Sequence, residues 1–76
     1  MRKQRIEYDS PVDALVAVAK RLGEFENRYK MISEDFFDNF CKGKTDDSAD
    51  FVSWSNDYQH YMTIRFDLER QLRNAA

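Results

Sequence analysis

Between Pro11 and Tyr29 the apolar residues Leu15, Val18, Leu22, Phe25 and Tyr29 recur at intervals of three, four, three and four, with Lys20, Arg21, Glu24 and Arg28 between them. That period is helical, and it draws one apolar stripe along one side of the helix. Val12, Val16 and Ala19 widen the stripe until it is broad enough to touch two neighbours at once. The start is marked by Ser10, Pro11 and Asp13. The serine hydroxyl is placed to accept from the N–H of Asp13, proline suits the first helical position, and the aspartate suits the positive end of the dipole. A first helix is predicted over 11–30. Gly23 inside it costs about 1 kcal/mol relative to alanine, and fits a close helix crossing or a slight bend.

A shorter pattern follows. Phe36, Phe37, Phe40 and Cys41 share one face at helical spacing, and Gly43 supplies a stop. With Ser33 as N-cap, Glu34 and Asp35 in the first turn, and Ile32 and Phe37 as a hydrophobic staple across the cap, a short helix is predicted over 34–42. Three phenylalanines on so short an element suit a plug for the open end of a larger helical pair.

The third pattern is the longest. Phe51, Trp54, Tyr58, Tyr61, Arg65, Leu68 and Leu72 form a heptad seam with one cation in it, and Met62, Ile64 and Phe66 add apolar surface beside it. A helix is predicted over 47–73. Arg65 is expected to pair with Glu69 one turn on, its stem packed and its head in solvent. Ahead of the first helix, residues 1–9 alternate Ile6 and Tyr8 with Glu7 and Asp9, which predicts an extended arm. The whole is expected to be all-α: an antiparallel hairpin of two long helices with a short helix between them, pairing with a second copy as a homodimeric four-helix bundle.

Size supports that pairing, because a single domain of 76 residues buries only about 60% of its unfolded surface and has a marginal core. Charge separates the ends from the middle: residues 1–30 carry seven basic and five acidic side chains, residues 31–60 two and seven, and residues 61–76 three and two. An acidic middle argues against nucleic acid as the main partner and favours a basic protein. The single cysteine, Cys41, excludes an internal disulfide and is expected to be a buried, inert thiol. No apolar run is long enough for a signal peptide or a membrane span, so the expected location is cytoplasmic.

Candidate chemistry is sparse. Asp46, Asp47 and Asp50 crowd before Phe51, but they lack the alternating ligands, mid-loop glycine and terminal glutamate of a calcium loop. The N-terminus of a helix favours such carboxylates without any ligand, so the three are expected to form a helix-capping acidic cluster. Asp57 and His60 stand three apart as in bundle metal sites, yet the pair has a short carboxylate and lies on the flank of the aromatic seam, so a surface histidine is expected. There is no phosphate loop, nucleophile elbow or zinc spacing. No enzymatic activity, cofactor or metal is expected.

The block from Glu24 to Tyr61 carries Glu24, Phe25 and Glu26, then Tyr29, Ser33, Phe37, Gly43, Asp46, Asp47, Asp50, Phe51, Trp54 and Tyr58. In that order these residues resemble small prokaryotic antitoxin-like proteins of two-gene toxin–antitoxin modules. The resemblance covers about half of the chain and implies a protein that binds and neutralises a small toxin without an activity of its own. Phe36, Phe40, Trp54, Tyr58, Tyr61, Arg65 and Leu68 are the expected residues of partner and oligomer contact, with the aromatic surface shared between core and interface. The partners expected are a second copy and a small basic protein encoded by the adjacent gene. Two alternatives are a DNA-binding regulator that uses Arg2, Lys3 and Arg5 as an arm, and an oligomeric helical protein of a mobile gene cassette.

Overall fold

The computed structural model describes residues 10–75, and among them there are three helices and no strand. Helix α1 spans Pro11–Tyr29, α2 Ser33–Cys41 and α3 Ala49–Ala75. The expected arm, 1–9, lies outside the described residues.

Helix α1 begins as its sequence dictates: Asp13 N–H donates to Ser10 Oγ at 3.3 Å, and Pro11 stands in the first turn. It ends at Tyr29, one residue short of expectation, because Lys30 turns into the left-handed region at φ 57° and its N–H returns to the Glu26 carbonyl. Gly23 makes no close crossing: a Cβ added there meets nothing within 4 Å. Gly23→Ala is therefore expected to stabilise the chain by about 0.5–1 kcal/mol, read as a higher urea midpoint with unchanged slope.

Helix α2 starts earlier than expected. Ile32 is its extended N-cap, without a side-chain cap, and Ser33 is already helical and buried. Ile32 is 55% exposed, so no staple across this turn holds it. Helix α3 starts two residues later than expected and runs two further. Its N-terminus is held by Ser48, whose Oγ accepts from Phe51 N–H at 3.2 Å.

Helices α1 and α3 run antiparallel. Arg28 faces Asp50 and Arg21 faces Asp57, so seven residues back along one helix match seven forward along the other, and Phe25 stacks on Trp54 between them. The core is aromatic. Trp54 and Phe36 are wholly buried and Leu22 nearly so, and Phe25, Tyr29, Phe37, Phe40, Phe51 and Tyr58 close around them. Higher up, Val18 and Ile64 are buried. Of the predicted seam, Phe51, Trp54, Tyr58, Tyr61 and Leu68 are buried or half-buried, Arg65 and Leu72 are exposed, and Ile64 beside the seam is buried.

Candidate interaction surface

Ser33 is the point where the three helices are joined. Its N–H donates to Glu26 Oε2 of α1 at 2.8 Å, and its Oγ accepts from Trp54 Nε1 of α3 at 2.9 Å. A carboxylate at the first turn of α2 meets unpaired N–H groups and the positive end of the dipole. The cap of α2 therefore comes from a residue of α1, and Ser33 is left to satisfy the buried indole. Ser33→Ala strands that N–H, and a loss of about 1–3 kcal/mol is expected from urea denaturation. In the Trp54→Phe background, which has no N–H to strand, the same change should cost much less. Equal losses in both backgrounds would rule the bond out as the cause.

The acidic cluster divides by role. Asp46 accepts from Ser48 N–H at 3.1 Å and so steadies the residue that caps α3. Asp50, in the first turn of α3, reaches α1, accepting from Tyr29 Oη at 2.5 Å and Arg28 Nη1 at 2.9 Å. Asp47 is exposed. The expected capping trio is thus corrected: Ser48 caps, Asp46 supports it, and Asp50 closes the hairpin.

The Tyr29 hydrogen bond, then that of Arg28, holds the Asp50 carboxyl below its ordinary range. The bond to Asp50, then burial, pushes the Tyr29 hydroxyl up. The carboxylate's contribution is present above the unfolded value, about 3.9, and is lost as pH falls through the lower folded one. The phenol's is present below about 10 and is lost as pH rises through the raised folded value. Thermal stability should therefore decline at both extremes. Asp50→Asn should flatten the acid limb and Tyr29→Phe the alkaline limb, and identical acid limbs in wild type and Asp50→Asn would contradict this.

The residues expected to meet a partner separate sharply. Phe36 and Trp54 are 0% exposed and serve the core, where their rings lie parallel with centroids 3.9 Å apart. They cannot be an interface without unfolding α2. Phe40, Tyr58, Tyr61 and Leu68 are half-buried, and Arg65 is exposed and hydrogen-bonded to Glu69 at 3.2 Å. Cys41, expected in the core, is exposed, because α2 turns Phe36, Phe37 and Phe40 inward and leaves the flank to the thiol.

A groove of ≈ 360 Å³ opens where α2 begins, lined by Ala19 and Leu22 of α1, Ile32 and Glu34 at the head of α2, and Tyr61 and Arg65 of α3. Tyr58 also lines it, its hydroxyl pushed up by burial and then by Glu34. Beyond the groove the face continues without cover. Val12 and Val16 are 53% and 51% exposed, and Leu72 is 72% exposed. These are the positions that widen the α1 stripe and end the α3 seam. Sequence pattern identified them as apolar, but only the shortness of α2 leaves them bare.

Other chemistry is not assembled. Asp57 is engaged by Arg21 Nε at 3.2 Å and His60 is exposed. Among the described residues no group of three His, Cys, Asp or Glu is placed to hold a metal ion, and no helix is long and apolar enough to cross a membrane. Comparison with protein-family models, with curated proteins and with solved structures finds no match to this chain.

Proposed function

We infer that this chain is a non-enzymatic protein–protein interaction module, an antitoxin that binds and neutralises a small basic protein encoded beside it and also associates with itself. The observation that carries the reading is the uncovered apolar face of the hairpin, where Val12, Val16, Ile32 and Leu72 are each more than half exposed. Tyr61 and Arg65 border it, and tyrosine and arginine are among the residue types that dominate binding energy.

A second surface supports the charge of the partner. Glu34, Asp35, Asp46 and Asp47 are exposed on α2 and the loop after it, where Lys42 is tied to Asp38 at 3.0 Å. That field attracts a basic protein and speeds its encounter. The test is to express the adjacent reading frame alone and together with this chain. Growth arrest relieved by co-expression, with a complex that co-purifies and weakens with salt, is the expected result. A harmless neighbour and no complex would refute the antitoxin reading.

A further inference from the structure

The uncovered face has a definite length. Tyr29 lies against Phe51 and Arg28 against Asp50, so α1 and α3 are nearly flush at the α2 end. Helix α3 has 27 residues and α1 has 19, so its surplus, about 12 Å at 1.5 Å per residue, projects past the start of α1. Leu72, Arg70 and Arg73 stand on that overhang. Helix α2, with nine residues, packs on the flush end through Phe36 against Phe51 and Trp54, and Ile32 and Glu34 at its head form the step beside the groove.

We propose that the open half of the α1–α3 face is the seat of a second copy of this chain, laid antiparallel across a two-fold axis. The proposal rests on the interaction-module reading and specifies the surface and the mode of its self-association. Three features select this occupant. The face is apolar along both walls, with Val12, Val16 and Ala19 on α1 and Tyr61, Leu68 and Leu72 on α3, so an identical face satisfies it.

Its charge is polar end to end. Glu34 and Asp35 mark the step, whereas Arg73 is exposed at the overhang. An antiparallel copy brings the step of each chain to the overhang of the other and opposes unlike charges, while a parallel copy would oppose like charges. Midway, Arg65 and Glu69, one turn apart, face the same pair in reverse order. Lastly, among the described residues the fully buried apolar core of one chain is Val18, Leu22, Phe36, Trp54 and Ile64, a small set for a domain of this size. The product is a four-helix bundle from two hairpins, with the α2 helices as end stops.

Sedimentation equilibrium of the purified full chain, without any partner, tests this. A dimer is expected at about 100 µM and below. Val16→Glu and Leu72→Glu, both at positions exposed within one chain, should each give a monomer with an unchanged circular dichroism spectrum. Glu34→Arg should weaken the dimer several-fold, and adding Arg73→Glu should restore it, which only the antiparallel register allows.

A wild-type monomer at that concentration, a dimer indifferent to both apolar substitutions, or a charge reversal that is not rescued would overturn the proposal. A dimer whose neighbouring gene product neither harms cells nor co-purifies would uphold this inference and remove the antitoxin reading. A monomer that captures the neighbour would do the opposite.

Discussion

Trp54→Ala is expected to remove about 3–5 kcal/mol from a chain of this size, whose whole stability is of the order of 4–11 kcal/mol. The loss is large because one indole serves all three helices. It stacks on Phe36 of α2 and on Phe25 and Tyr29 of α1, and donates to Ser33 at the head of α2. Nothing nearby can move into the space without leaving its own helix, so the cavity stays open and its cost adds to the lost transfer energy. Urea denaturation followed by far-ultraviolet circular dichroism measures it. Trp54→Phe, which keeps a ring in the stack, should retain most of the stability, and a loss of less than about 1 kcal/mol for alanine would show that the indole is not the keystone.

Phe36→Ala is expected to be as costly, at about 3–5 kcal/mol, but the damage should be distributed differently. Phe36 is the one wholly buried hydrophobic side chain of α2, and it holds that helix down through Trp54 and Phe51 of α3. A helix of nine residues has no stability of its own in water. Once Phe36 is gone, α2 should open before α1 and α3 separate. Hydrogen exchange would then show its amides losing protection while those of 15–25 and 54–64 keep theirs relative to global unfolding. A uniform loss in all three helices would mean that α2 cannot open separately. In combination with Trp54→Ala the two costs should fall short of additivity, since each removes half of the same stack.

What could be read in advance was local. Ser10, Pro11 and Asp13 fix the start of α1 by bonds within four residues, and the 3.6-residue period of Leu15 to Tyr29 fixes its inner side. The Arg65–Glu69 pair likewise lies within one turn. The hairpin with its short middle helix follows from those patterns. The errors fall where a residue's partner is distant in the chain. Ser33 has the chemistry of an N-cap, but an indole 21 residues away claims its hydroxyl and a carboxylate seven residues back takes its N–H. Asp50 has the chemistry of a helix start, but Tyr29 and Arg28 are within reach.

The division of aromatic residues between core and surface was illegible for a related reason. Phe36 and Phe40 stand one turn apart on the same side of α2, so their different burial depends on where the other helices lie against it, which no periodicity within nine residues encodes. Ile64 is buried and Arg65 exposed, although the heptad count puts Arg65 on the seam and Ile64 beside it.

The burial of Trp54 also gives the protein an optical signal of its own. There is one tryptophan in the sequence, and it lies beneath α2, stacked against Phe36. Its emission therefore belongs to a single place and senses whether α2 is seated. A seated helix keeps the indole dry and its fluorescence blue-shifted, and lifting the helix admits water and moves the maximum to the red. Binding events on the outer surface of α2 or at the groove beside it would be visible in the unlabelled protein to the extent that they loosen or tighten that lid.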